Sequence, residues 1–461
     1  MFLTDGLPSR SYDCYVIGAG PAGITLALEL ARASRTVLLF ESGTATEARE
    51  DLPNSINYGH FRDGWWNRHS VRMLGGTSRI WSGSCATPMD IDFDNPAVGV
   101  RWPINKAALT PYYPRAATIL DRDPAIFDVE RPVTPGFLYR PFSRSGGNST
   151  RFGTKYFETL GTSLMIDVAL GTSVVGLDAN AARSAVRAVE YFHHASSVAQ
   201  RLMIDPRQKV VVAGGGIANA QLLLQPRSDG AVPVGNEGGH AGKYLMEHPH
   251  YYRVAELVFD EDADQWWPGS EAAHALVPDE QHTRRHGLLG CGIRFSAKMA
   301  EHPMAEYLAN EHGKTFYWYR CNVRSEMAPS ASNSVSLTGE RDVAGLYRPA
   351  VRCVIGAEDF LNVERTLRLL GESLIESGKG RLRIHNGRLY RSPDGGGHIM
   401  GTTRMGTSQS NSVVDADCRV HGYENLFVAG SSVFSTSGYA NPTLTIVALS
   451  LRLSDALTGA A

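Results

Sequence analysis

The residues with the plainest chemistry in this 461-residue chain stand near its start, as Gly18-Ala19-Gly20-Pro21-Ala22-Gly23. Glycines at this spacing let the backbone turn tightly at Gly18, let a pyrophosphate approach at Gly20 and let a helix press on a strand at Gly23. The helix opening there offers unpaired N–H groups and positive potential to the phosphates. Glu41 follows about where an acidic side chain would bind ribose hydroxyls and repel a 2′-phosphate. This is dinucleotide chemistry, and the fingerprint alone does not separate FAD from NAD. A second stretch, GHIMGTTRMGTS at 397–408, sets His398 among glycines. A histidine so placed is, without context, more often a surface hydrogen-bonder than a base, so the rest of the chain must decide.

The elements that would position the fingerprint come in order. Tyr15-Val16-Ile17 reads as a strand, Pro21 suits a first helical turn, and Val37-Leu38-Leu39-Phe40 is a second strand ending at Glu41. Phe61 to Pro88 is an aromatic, glycine-rich loop region, and helical patterning returns from Ala107 to Leu120. Leu164 to Asp178 and Ala185 to Val212 read as strands and hairpins, finishing in KVVVAGGG. The middle mixes strand-like alternation with a helix from Phe360 to Ser377. The tail gives a strand, LFVAG, and a helix from Pro442 to Leu457. The nucleotide-binding pieces are thus scattered in sequence, with other segments between them.

Composition narrows the function classes. Apolar residues at 43% and charged residues at 20% predict a packed core. A net charge of −2 and a pI near 6.7 give no electrostatic argument for nucleic acid or an anionic membrane. The six cysteines form no Cys-x-x-Cys pair and read as idle thiols in a reducing compartment. With no secretory pattern and no long apolar run, the expectation is a cytoplasmic chain without a membrane span.

Read together, the motifs resemble those of the glucose–methanol–choline (GMC) oxidoreductases. The matching pieces are GAGPAG with Glu41, LGGTSRIWSG (Leu74 to Gly83), WPINKAALTPYYPRA (Trp102 to Ala116), AGGGIANAQLLL, GKYLMEHPH (Gly242 to His250), RSEMAP (Arg324 to Pro329), HIMGTTRMG, and the tail from ENLFVAG onward. HIMGTTRMG and ANPTLT look most like bacterial sugar- and polyol-oxidising members and pyranose oxidases. The resemblance implies an α/β FAD-binding domain of the Rossmann, glutathione-reductase-like type. Into it would be inserted an α+β substrate domain built on an antiparallel sheet. Residues 1–95, 165–250 and 395–461 are assigned to the former, and 96–164 and 251–394 to the latter. It also implies oxidation of an alcohol to a carbonyl, with hydride delivered to flavin N5.

Site residues follow from the same resemblance. His398 heads the H-x-x-G-T motif and inherits the role of catalytic base, since an imidazole can take the hydroxyl proton as hydride leaves. Asn441 falls on the family's second polar position and would hydrogen-bond the substrate oxygen. FAD contacts are expected from Gly18, Gly20, Pro21, Ala22, Gly23, Glu41 and Ser42; from Gly75, Gly76, Thr77 and Ser78; from Val174, Ala213 and Gly214; and from Gly430, Ser431, Asn441, Pro442 and Thr443. No metal is expected, and the H-P-H of His248 and His250 reads as structural. Where some relatives attach FAD covalently through histidine this chain has Ile80, so the FAD is expected to be non-covalent. His69 lies nearby, before the glycines.

The leading expectation is oxidation of a sugar, polyol or glycoside. A sterol or aliphatic alcohol oxidase, and a non-redox flavoprotein like the hydroxynitrile lyases, are the alternatives. The electron acceptor (oxygen, a quinone or a partner protein) stays open. Trp65-Trp66, Trp266-Trp267 and Trp318 are candidates to stack on a sugar face, or to be core.

Overall fold

Cys14–Ile17 and Val37–Phe40 are buried at every position, as strands covered on both faces must be. In the computed structural model they lie side by side in a six-stranded, wholly parallel sheet. Its order is Phe2–Leu3, Ile166–Ala169, Val37–Phe40, Cys14–Ile17, Lys209–Val212, Leu426–Val428. The structure describes residues 1–4, 6–48, 56–143, 149–227, 229–262, 272–296, 298–299, 301–391 and 393–459. The helix Pro21–Arg32 leaves the fingerprint turn and packs against the last helix, Thr443–Thr458. Between the second and fifth of these strands in the sheet order the chain makes a three-stranded antiparallel sheet, Thr172–Ala179, Val186–His193 and Val198–Met203.

A second large sheet is antiparallel. Its order is Gly380–Ile384, Pro249–Phe259, Tyr317–Ser325, Cys291–Phe295, Ala272–Pro278, Phe137–Ser143, Arg131–Thr134, with Asp394–Gly395 paired beside Pro249. Tyr317–Ser325 shows how this sheet divides its faces. Tyr319, Cys321 and Val323 are buried in a cluster with Val363, Leu367 and Leu370 of the helix Ala357–Glu376. The alternate residues Trp318, Arg320, Asn322 and Arg324 are only half-buried. A period of two thus gives one face to the core and leaves the other half-open.

The two architectures meet where glycines allow it. A Cβ on Gly292 would stand 2.7 Å from Cδ2 of Tyr439, and one on Gly290 would stand 3.0 Å from the Gly438 carbonyl carbon. The loop leading to Asn441 therefore lies directly on the half-open face. Elsewhere the sequence overstates one helix: instead of Ala107 to Leu120 there are two short 3-10 turns and a helix over Tyr113–Ile119. Pro111 and Pro114 have no N–H to give and permit only helix starts. Trp65 and Trp66 are core, packed with Phe61 at 4% and 0% exposure, whereas Trp266-Trp267 lie outside the described residues.

Candidate active site

One cleft, roughly 490 Å³ in volume, runs from the fingerprint to His398 and Asn441. At one end Gly18, with φ +111°, passes so close to the second glycine turn that a Cβ would lie 2.6 Å from the Ala213 carbonyl oxygen. A Cβ on Gly23 would fall 1.9 Å from the Gly18 carbonyl oxygen, whereas one on Gly20 would meet nothing within 4 Å. Gly23 is therefore spent on helix–strand packing, while Gly20, Pro21 and Ala22 face open cleft at a helix N-terminus. Glu41 and Ser42 line the same end. The Glu41 carboxylate accepts from the N–H of Ala19 (3.1 Å) and Gly43 (2.8 Å), and burial pushes its proton affinity up. Each carboxylate oxygen keeps a second lone pair for a ribose hydroxyl.

The walls come from distant segments. Gly76, Thr77 and Ser78 line the cleft, as do Val174, Ala213, Gly214, Gly430, Ser431, Pro442 and Thr443. Gly75 does not; with φ +92° and a notional Cβ 2.4 Å from the Gly153 nitrogen, it serves the turn that presents Gly76. An open space at Gly20, an acid at the strand end and a helix N-terminus are the features an adenine dinucleotide needs, so these residues fit FAD.

At the other end the proton positions can be deduced. Nε2 of His248 lies 3.2 Å from the Ser437 carbonyl oxygen, which only accepts, so His248 carries its proton there. Nδ1 of neutral His248 is then a lone pair facing Nδ1 of His398 at 2.8 Å, and His398 must donate across that gap. This leaves Nε2 of His398 as a lone pair, and Asn441 Nδ2 donates to it at 3.1 Å. His398 is thus neutral, with its basic nitrogen turned to Asn441. Below it, one oxygen of the buried Glu247 accepts from the N–H groups of His398 (2.8 Å), Gly396 (3.2 Å) and His248 (2.8 Å), pinning the loop. Burial pushes the Glu247 carboxyl up to about 7.

The surroundings keep the imidazoles uncharged. Burial first, then the neighbouring His248, His250, Arg324 and Arg294, holds His398 well below its ordinary value. Burial lowers His248 to about 4 and holds His250 well down. Arg294 and Arg324 each donate to Oδ1 of Asn441 at 3.3 Å, so Asn441 is gripped from both sides.

A profile described as GMC oxidoreductase matches residues 329–450, the segment that holds both His398 and Asn441. The chain is 26% identical to a 2-methyl-1,2-propanediol dehydrogenase of Mycolicibacterium austroafricanum, over 96% of this chain and 94% of that one. It is 27% identical to a 6'''-hydroxyparomomycin C oxidase of Streptomyces lividus, over 99% and 93%. In fold it is similar to a formate oxidase of Aspergillus oryzae, with a TM-score of 0.60, 14% identity and 99% of each chain covered.

Residues 329–450 carry the GMC oxidoreductase pattern, and the chain is similar over nearly its whole length to a dehydrogenase and an oxidase. The protein is an FAD-dependent oxidoreductase acting on alcohols. Among its described residues no helix is long and apolar enough to cross a membrane. The structure also gathers residues that the motifs did not single out. His248, read as structural, is the partner that sets the His398 proton, and Glu247 beside it holds the loop. His69 lines the cleft, with Cδ2 2.4 Å from where a Gly397 Cβ would be. Arg294 and Arg324 reach Asn441 from the antiparallel sheet. The strand alternation from Trp318 to Arg324 was the available signal for the last of these.

Proposed function

We propose that this oxidoreductase converts a hydroxyl of a sugar, polyol or glycoside to a carbonyl, with His398 as the base and FAD held without a covalent bond. The observation that carries the reading is the lone pair on Nε2 of His398, set by the contacts from Ser437 through His248 and accepting from Asn441 Nδ2 within the cleft. Bound FAD supplies the hydride acceptor. The protein supplies the rest.

A substrate hydroxyl taking the place of the Asn441 amide donates its proton to Nε2 of His398. The imidazolium so formed keeps its Nδ1–H on His248, whose own Nε2–H stays on Ser437, so the ring does not turn as it charges. Asn441, held by two guanidinium groups, orients the carbinol oxygen, a positioning effect that removes much of the entropic cost of reaction. The loop at Gly396–His398 is fixed by Glu247 through two of its N–H groups, with that of His248 as a third on the same oxygen, which keeps the base in place. Similarity over nearly the full chain to enzymes named for a diol and for an aminoglycoside supports a polyhydroxylated substrate. The polar face formed by Asn322, Arg294 and Arg324 weighs against an apolar sterol. Residues 1–95, 165–250 and 395–461 are proposed as the FAD-binding part and the remainder as the substrate part.

The test is an anaerobic visible spectrum of the purified holoenzyme before and after each of a panel of sugars, polyols and glycosides. Loss of the oxidised flavin bands with a member of the panel is the expected result. A yellow protein that no alcohol bleaches, yet which splits a cyanohydrin, would move the assignment to a lyase.

A further inference from the structure

The half-open sheet face runs on beyond the catalytic centre. His250 pairs with Arg324; four residues back along the same strand Arg320 pairs with Glu256, which pairs in turn with Arg383. Paired residues share a face and every second residue returns to it, so His250, Glu256 and Arg383 all rise from the half-open side. About 13 Å of sheet separates the His250 row from the Arg383 row. A cleft of roughly 1090 Å³ lies along this stretch, lined by His250, Arg253, Arg383, Arg388 and Arg391, with Asp394 as its acid. It adjoins the cleft described above through one loop, for Asp394 lines the first and Gly396 and His398 line the second.

These four arginines differ from others at the surface. Arg101, Arg207, Arg284, Arg368 and Arg419 each meet a nearby carboxylate within 3.1 Å. No ion pair or side-chain hydrogen bond joins Arg253, Arg383, Arg388 or Arg391 to any described residue. Glu256, in the row of Arg383, faces His385 instead at 3.4 Å. In a chain of net charge −2, four uncompensated guanidinium groups around one hollow make a place for an anion. The backbone is shaped to the same end. The strand Pro249–Phe259 bulges between Tyr251 and Ala255, and within the bulge Arg253 holds φ +54°, which disfavours a side chain. Asn322 Oδ1 secures that turn by accepting the Arg253 N–H at 2.8 Å. Bulges beside active sites re-aim side chains, and this one leaves both Tyr252 and Arg253 exposed. At the inner end Nε2 of His250 is buried without a partner. A Cβ on Gly396 would stand 3.0 Å from it and 2.5 Å from Nδ1 of His398, so the two imidazoles meet across a glycine.

We infer that this cleft binds a phosphate group, and that the group is carried by the alcohol being oxidised. Guanidinium forks match phosphate oxygens two at a time, and a phosphate monoester brings close to two negative charges. The hollow has the size of a small-molecule site, whereas an acidic protein would need a broad face. The distance between the two rows leaves room for the body of a sugar between the phosphate and a carbinol at His398. The phosphate takes no part in the bond changes: the carbinol carbon still loses one hydride and its hydroxyl one proton. The inference rests on the alcohol-oxidation reading above.

The test uses the holoenzyme and three phosphate esters beside neutral counterparts: D-glucose 6-phosphate and D-glucose, D-sorbitol 6-phosphate and D-sorbitol, uridine diphosphate glucose and methyl glucoside. Inorganic pyrophosphate and poly-L-glutamate are titrated alongside. Binding is read by calorimetry and oxidation by anaerobic bleaching of the flavin. In at least one pair the ester is expected to bind at least tenfold more tightly than its counterpart and to bleach at lower concentration. Arg383→Gln and Arg388→Gln should each reduce that advantage, and pyrophosphate affinity, about tenfold, with flavin content and melting temperature unchanged. Arg253→Gly, which suits the left-handed turn and removes the charge, should act in the same direction. Equal binding of ester and counterpart in all three pairs would overturn the inference, as would an ester preference that survives the triple variant. Pyrophosphate bound through these arginines, with no ester favoured, would overturn the placement of the phosphate on the substrate. Poly-L-glutamate bound where no phosphate binds would overturn it in favour of an acidic protein. Bleaching by neutral alcohols with no anion bound would sink the phosphate site and leave alcohol oxidation standing. Phosphate binding lost in the variants, with no alcohol of any kind bleaching the flavin, would do the reverse.

Discussion

His398 and His248 face each other Nδ1 to Nδ1 across 2.8 Å, with their rings nearly perpendicular at 83°. Because His248 is tied to a carbonyl on its far side, only one proton arrangement satisfies all three contacts. The basic nitrogen of His398 is therefore chosen by a residue 150 positions away, and that dependence can be measured.

Replacing His398 by Ala should lower the rate of flavin reduction by substrate about 10²- to 10⁴-fold, the span over which a general base contributes. Stopped-flow reduction under anaerobic conditions reads it directly. A loss of only a few-fold would remove His398 from that role.

His248→Phe removes the acceptor for His398 Nδ1–H and lets the ring exchange tautomers. The expected outcome is a fall in kcat of about tenfold or more with KM within a factor of about two, as for an interaction made only on the way to the transition state. His248→Gln, which can still present a carbonyl to Nδ1–H, should recover part of the rate. If both substitutions raise KM and spare kcat, His248 serves binding instead.

The acid limb of kcat/KM should lie well below pH 6.5, because burial and the cations around His398 keep it neutral. Arg324 is one of those cations, so Arg324→Gln should move the limb upward in pH. A limb that stays put in the variant would show that the guanidinium does not act on the base.

Glu247 illustrates the opposite sign. Its carboxyl is raised to about 7 in the fold, above its unfolded value of 4.5, so the folded protein holds a proton there that the unfolded chain releases. That contribution is present below pH 4.5 and is lost as pH rises through about 7. Glu247→Gln keeps a carbonyl for the three N–H groups and cannot ionise. Its melting temperature relative to the parent should be higher at pH 8 than at pH 5 by roughly 2 °C or more. A constant offset across that range would mean that Glu247 does not titrate there.

Gly20 and Gly23 separate binding from folding. Gly23→Ala forces a methyl to within 1.9 Å of the Gly18 carbonyl oxygen and should destabilise the apoprotein by ~2 kcal/mol or more. Gly20→Ala meets no protein atom within 4 Å, so the apoprotein should melt normally while FAD affinity falls at least tenfold. Denaturation of the stripped proteins and FAD titration check the pair. Acid precipitation of the wild type should leave all flavin in the supernatant; flavin that stays with the pellet would direct attention to His69, which lines the cleft.

What could be read in the sequence was what is local. The fingerprint announces itself because Gly18, Gly20 and Gly23 answer to backbone geometry within six residues. His398 and Asn441 came from motif likeness, and the structure places them 3.1 Å apart. The arginines were hidden for a different reason. Arg294 and Arg324 are thirty positions apart, and they share a face only because two strands pair in one register, which no local pattern states. A register shift between Tyr251 and Ala255 likewise governs how His250 meets Arg324. His248 looked structural because its chemistry lies in which atom it faces, and that is decided by the fold of a loop from the far end of the chain. The helix from Ala107 was overread because apolar spacing says nothing about the N–H groups that Pro111 and Pro114 lack.

The alternation along Tyr317–Ser325 has a consequence for descent. Tyr319, Cys321 and Val323 answer to the helix beneath them, and exchange there is paid in folding. On the alternate face Trp318 packs against His302 and beneath Arg320, while Arg324 donates to Asn441, so exchange at Arg324 alters the centre and leaves the buried face of the strand as it is. New preferences can then arise one side chain at a time, on a platform whose underside never has to be reinvented.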